Sequence, residues 1–224
     1  MTFSIVARCA ETGQFGLAIS SSSPAVAARC AFARAGVGAV ATQNVTNPAL
    51  GPAVLDRLEA GARAKDAVIG AIADEAFPDY RQVIAVDGSG GSFVHSGRNA
   101  LGIWTATTGR DCAAGGNLLA NAGIPAAMVA GFEATAGPLG DRLIAAMQAG
   151  LAAGGEAGPV HSAGMLIVDR EAWPYASLRC DWAEDDPIAA IAAAWTVYAP
   201  QADAYVTRAL DPTAAPSYGV PGDE

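Results

Sequence analysis

The stretch AGVGAVATQ, residues 35–43, has no polar face. A strand that is apolar on both faces must be covered on both sides. Residues 2–9 alternate, with Phe3, Ile5, Ala7 and Cys9 on one face and Thr2, Ser4, Val6 and Arg8 on the other. AETGQ (10–14) then supplies turn chemistry and FGLAISSSS a second strand, which predicts an N-terminal antiparallel hairpin. YRQVIAVDGSGGSFVHSG predicts another hairpin, turning at DGSGG. LGIWTATTG with DCAAGGNLL, and HSAGMLIVD with YASLRCDW, predict two more strand pairs. Between these groups the period becomes helical. Leu50, Val54, Leu55 and Leu58 share one face ahead of a stop at Gly61, and a second helix is expected over 65–76. Further helices are expected over 124–136 and 138–152, and one long last helix from 187 to about 210. Hairpins require antiparallel sheets, and doubly apolar strands require cover on both sides. The fold class that meets both conditions is α+β, a four-layer αββα sandwich of two mainly antiparallel sheets. A doubly wound parallel fold is excluded, because strands and helices do not alternate one for one.

The chain of 224 residues contains no Pro/Gly/Ser-rich linker, so one domain over 1–210 is expected, followed by a loosely ordered tail over 211–224. A net charge of -9 argues against a nucleic-acid partner. No basic, apolar-cored leader is evident and no apolar run is long enough to span a bilayer, so a cytoplasmic protein with no membrane partner is expected. Cys9, Cys30, Cys112 and Cys180 lie far apart without a CxxC pair and are expected as reduced thiols. Ala- and Gly-rich segments with little charge leave apolar surface, which predicts a homo-oligomer, most simply a two-fold dimer.

Several chemistries fail on sequence. GVGAVA (36–41) satisfies GxGxxA, but a dinucleotide loop needs a helix opening within it, and here the glycines read as part of a strand. There is no P-loop and no GxSxG elbow. His95 and His161 are the only histidines and form no ligand cluster, so no metal and no cofactor is expected. Of the two, His161, just ahead of a strand, is the better placed for a site. Thr2 remains. A threonine hydroxyl is a weak nucleophile unless a base takes its proton. When threonine is the first residue, its own α-amine is that base, with an unperturbed pKa of about 7.7–8.0. Removal of Met1 is the condition, and a small second residue favours it. The alternative is an ordinary strand residue beside a start codon.

The segments TFSIVARCAETGQFGLAISS, AVAARCAFARAGVGAVATQ, NPALGP and AAGGNLLA resemble a bacterial family of uncharacterised proteins similar to N-terminal-nucleophile (Ntn) hydrolases, the domain of unknown function 1028 family. The similarity runs from Thr2 to about Asp181. It implies the four-layer Ntn fold and suggests hydrolysis of a small amide, with a small molecule as the partner. Two features depart from the family pattern: Cys9 stands where an aspartate is common, and SSSSP (20–24) replaces a more usual SR. By similarity to the proteasome-type branch, a cation is expected near the nucleophile. The only lysine, Lys65, is poorly placed, which leaves Arg34 as an electrostatic aid, or else Arg29. Ser20 or Ser22 is expected beside the α-amine. Asn117, behind two glycines, is the candidate oxyanion donor, or else a loop cap. Ser22, Gln43 and His161 are the candidate substrate contacts. Two other readings stand beside the hydrolase: a non-catalytic metabolite-binding scaffold, or an oligomeric structural protein that keeps the fold.

Overall fold

The computed structural model describes residues 2–221. Its first hairpin joins β1 (Thr2–Arg8) to β2 (Phe15–Ser21). A short helix, α1 (Val26–Cys30), runs directly into β3 (Ala31–Arg34), which pairs with β4 (Gly38–Asn44). Helices α2 (Leu50–Glu59) and α3 (Ala64–Ala73) follow, then β5 (Arg81–Asp87), β6 (Ser92–Ser96), β7 (Thr105–Gly109) and β8 (Cys112–Asn117). The second helix pair is α4 (Ile124–Ala134) and α5 (Leu139–Ala152). The last strands are β9 (Ser162–Val168) and β10 (Ala176–Cys180), and α6 (Pro187–Tyr198) and α7 (Ala202–Leu210) close the fold.

The strands form a six-stranded sheet, β10-β9-β2-β1-β8-β7, and a four-stranded sheet, β3-β4-β5-β6, antiparallel throughout. The alternation read in the first strand decides the layering. Phe3, Ile5 and Ala7 enter the core under α4, α5 and α6 with Met128, Phe132 and Leu143, whereas Val6 packs between the sheets with Leu17, Ile19, Ile84 and Val86. On the far side Val40, Val83 and Ala85 meet Leu50, Val54 and Leu58 of α2 and Val68 of α3. Three apolar layers separate four structural ones. This is the αββα sandwich, and it places every even-numbered residue of β1 between the two sheets.

The structure corrects the sequence reading locally. The segment VAARCAFAR shows no clear period in sequence, yet it forms α1 and β3. The strand expected over 35–43 begins only at Gly38, because Ala35 to Val37 form the β3–β4 turn, with Gly36 at φ +71°. Gly36 therefore lies in a turn, and no helix opens there. The long last helix is broken by a 3-10 segment, Ala199–Gln201, at Pro200. Proline lacks the N–H that an α-helix requires. The four cysteines are free thiols. No described helix is long and apolar enough to cross a membrane.

Candidate functional site

The site grows from the N-terminal end of β1, which lies between β2 and β8 in the larger sheet. Thr2 stands opposite Asn117 of β8, and Phe3 stands opposite Ser20 of β2. Thr2 Oγ1 donates to Ser21 Oγ at 3.3 Å. Ser21 Oγ lies 2.8 Å from Ser23 Oγ, which accepts from Arg29 Nη2 at 2.8 Å. Three hydroxyls thus run from Thr2 to a guanidinium. Thr2 is only 5% exposed.

Beneath Thr2, between the sheets, lies a buried set of polar side chains. Ser4 Oγ donates to Gln43 Oε1 at 2.6 Å, and Gln43 Nε2 donates to Gln82 Oε1 at 2.7 Å and to the Gly115 carbonyl at 3.2 Å. Gln82 Nε2 donates to Ser96 Oγ at 2.9 Å and to the Gly116 carbonyl at 3.2 Å. Asn117 Nδ2 donates to Gln82 Oε1 at 3.3 Å, while its Oδ1 is buried with no partner. A buried acceptor without a donor is costly, by about 1–3 kcal/mol, and invites one. The glycines of GGN have a steric reason. A Cβ on Gly116 would stand 2.6 Å from Leu119 and 3.0 Å from the Thr2 carbonyl, so only glycine lets β8 come this close to β1.

A third component was not anticipated. Glu156, in the loop between α5 and β9, is 5% exposed. Both of its carboxylate oxygens accept from one donor, the Ser22 backbone N–H, at 3.1 and 3.2 Å, and its main chain bridges to Leu119. Burial pushes this carboxyl up to about 7, against the pull of the Ser22 hydrogen bonds and of His161. The sequence held one signal: Glu156 is the only formally charged residue between Arg142 and Asp169, set among glycine and alanine.

A family model described as a family of unknown function, DUF1028, matches residues 2–191. The chain belongs to the DUF1028 family. It is similar to a DUF1028 protein from Silicibacter pomeroyi of known crystal structure, with a TM-score of 0.83 at 30% identity, covering 88% of this chain and 85% of that one. More distant matches are Anbu (ancestral beta-subunit) from Yersinia bercovieri, at 12% identity and TM-score 0.39 over 91% of this chain and 97% of that one, and an Anbu (Gly-1) mutant from Hyphomicrobium sp. strain MC1, at 12% identity and TM-score 0.41 over 92% and 99%. No protein of curated function matches the chain significantly.

The remaining sequence candidates land in this DUF1028 chain as follows. Gln43 belongs to the buried polar set. Ser22 contributes its backbone N–H to Glu156. Ser20 is turned away: it stands opposite Phe3, on the helix-facing side, and its Oγ donates to the Ser162 carbonyl at 3.0 Å. The antiparallel register makes Ser21, not Ser20, the serine beside Thr2. Arg34 is not at the site either. It pairs with Gly38, five positions along β4 from Gln43, or about 17 Å at strand rise. There it forms exposed ion pairs with Asp56 at 2.8 Å and Glu59 at 2.6 Å. The cation tied to the Thr2 hydroxyls is Arg29. His161 lies 2.9 Å from the Ala183 carbonyl through Nδ1 and stacks on Trp182 with ring centroids 4.4 Å apart. Its backbone N–H donates to the Ser21 carbonyl at 2.9 Å, so it adjoins the serine segment rather than Thr2 itself. Thr2 lines none of the prominent clefts among the described residues; one of about 670 Å³ lies at Gly140, Tyr175 and Trp195. Removal of Met1 falls outside the described residues.

Proposed function

We propose that this protein is an N-terminal-nucleophile amidohydrolase acting on a small amide, with Thr2 as nucleophile and its α-amine as base once Met1 is removed. The observation that carries this reading is the hydroxyl chain Thr2–Ser21–Ser23 ending on Arg29 at the tip of the central strand. Thr2 Oγ1 attacks the substrate carbonyl carbon and its proton passes to the α-amine. The resulting ammonium protonates the departing amine as the C–N bond breaks, leaving an acyl ester on Oγ1. Water then attacks that ester, gives one proton to the α-amine, and releases the acid with Oγ1 protonated again. Hydroxyl protons rotate freely. The chain that accepts a hydrogen bond from Oγ1 at rest can therefore donate one when Oγ1 becomes electron-rich, with Arg29 favouring that direction. Asn117 Nδ2 is directed to Gln82, and its open atom is the acceptor Oδ1. That atom suits an N–H of the substrate or of the α-amine better than an oxyanion.

One observation favours a second reading, the non-catalytic binding scaffold: Thr2 is 5% exposed and lines none of the prominent clefts among the described residues. An acylating β-lactone separates the two. Incubated with chain beginning at Thr2, it should leave a single acyl adduct that peptide mapping places on Thr2. Thr2→Ala should lose the adduct and keep the same thermal transition, while Thr2→Ser should retain it. A folded chain that gains no adduct at Thr2 is a scaffold. The reading includes a two-fold dimer, for which the half-exposed Val45, Leu101, Ile103 and Trp104 offer apolar surface. Light scattering at the monomer mass would remove that part alone.

A further inference from the structure

Two strands flank β1, and beyond each of them the chain runs on past the level of Thr2. On one side Ser21 hydrogen-bonds Thr2 and Ser22 follows it. On the other Asn117 stands opposite Thr2, and Leu119 lies two residues beyond. The Glu156 backbone bridges to Leu119, while its carboxylate takes the N–H of Ser22. The two flanks are separated by two interstrand spacings, about 10 Å. Glu156 therefore reaches across the line of β1, immediately ahead of Thr2.

The chemistry at that place is unbalanced in one direction. A carboxylate offers about four acceptor positions, and among the described residues Ser22 alone hydrogen-bonds this one. One register step away, Asn117 Oδ1 is buried with no donor at all. Both deficits are of donors. An ammonium supplies three donors and a positive charge, and a chain that begins at Thr2 places one here.

We infer that Glu156 is the positioning residue of the Thr2 α-amine: its carboxylate binds the ammonium and turns it toward Oγ1, with Asn117 Oδ1 as a second acceptor. The inference rests on Thr2 being the first residue of the mature chain, as in the proposed function, but it does not depend on turnover. Glu156 touches the base rather than the substrate, so its effect is read on the amine.

The test is the titration of that amine in full-length chain released at Thr2 from a cleavable leader. Trace acetylation across pH 5–10 with peptide mass spectrometry reports the amine, and Lys65, the only lysine, serves as reference within the same molecule. An adjacent opposite charge shifts a titration by about one pH unit or more. The α-amine of the unaltered chain should titrate about one unit higher than that of Glu156→Gln, with Glu156→Asp between them. Equal values in folded chains overturn the inference. If Glu156→Gln does not fold, ¹³C NMR of the Glu156 carboxyl in the unaltered chain decides. Nα-acetylation removes the cation and should move the carboxyl titration upward, and an unmoved titration overturns the inference. A coupled amine on a chain inert to the β-lactone would support Glu156 and sink the hydrolase reading. An acylated Thr2 with an uncoupled amine would do the reverse.

Discussion

Asp87 and Glu156 are both buried carboxylates, 4% and 5% exposed, and they occupy opposite ends of the sandwich. Asp87 closes β5, five positions along the strand from Gln82. It accepts from the Ser89 N–H and hydroxyl at 2.9 and 2.6 Å, from the Gly91 N–H at 3.0 Å, and from the Ala64 N–H that opens α3 at 3.0 Å. Burial pushes its carboxyl up, but these hydrogen bonds prevail and hold it below the usual carboxylate value. Glu156 is hydrogen-bonded by Ser22 alone among the described residues, burial prevails, and the carboxyl rises to about 7. Both are shielded from water, but Glu156 lies deeper among protein atoms and has fewer donors. A carboxylate saturated with donors locks a turn to a helix, whereas one short of donors is poised to bind something. The second kind lies beside Thr2.

The largest effect expected from this contrast is at the saturated end. Asp87→Ala leaves the Ala64, Ser89 and Gly91 amides without their acceptor and should lower stability by about 3 kcal/mol. Urea denaturation reads this as a lower midpoint with an unchanged slope. A loss under about 1 kcal/mol would mean that water replaces the carboxylate, and Asp87 would then not be a lock.

The second effect is a slope against pH, opposite in sign at the two ends. Glu156 titrates at about 7 in the fold against about 4.5 in the open chain, so between those values the native state holds the extra proton. The stability it contributes is lost as pH rises through that window, by about 2 kcal/mol. Asp87, held low, contributes stability that is lost as pH falls below the usual carboxylate value. Unfolding midpoints measured from pH 4.5 to 8 should therefore fall toward neutrality more steeply in the unaltered chain than in Glu156→Gln. Parallel curves would equate the two carboxylates and erase the comparison.

A smaller effect tests the approach of β8 to Thr2. In Gly116→Ala the new methyl meets Leu119 and the Thr2 carbonyl, so the strands must part. About 1–2 kcal/mol should be lost, with the amide resonance of Thr2 displaced in an NMR spectrum. An unshifted Thr2 would show that the gap closes elsewhere.

The architecture was legible because its signals are local. The alternation of residues 2–9 names both faces of β1, and a 3.6-residue period ending near Gly61 names α2. The misses have equally local causes. Val26 to Arg34 is rich in alanine and carries neither period clearly, so α1 and β3 depend on packing for their form. The break at Pro200 was readable from the proline itself. The site divides in the same way. Thr2 and Asn117 were legible because a strand start and a GGN run are sequence features. Glu156 was not, because its donor on Ser22 lies 134 residues away. Ser20 and Ser21 could be told apart only by register, which moves every side chain to the other face with a one-residue slip.

The smallest effect is expected at Arg34, the cation chosen from sequence. A charged side chain matters where partners and burial restrict it, and Arg34 has partners without burial. Its side chain is 34% exposed, and those of Asp56 and Glu59 are 66% and 60% exposed. Water screens such pairs, and ordering three side chains offsets much of the attraction. Arg34→Ala should change stability by less than about 1 kcal/mol, with the difference shrinking further in high salt. It should leave β-lactone acylation of Thr2 unchanged, because β3 lies at the edge of the smaller sheet, away from Thr2. Arg29→Ala removes the guanidinium from Ser23 and should slow that acylation. If Arg34→Ala slowed acylation and Arg29→Ala did not, the hydroxyl chain running from Thr2 through Ser21 and Ser23 to Arg29 would not be the path by which a cation acts on the nucleophile.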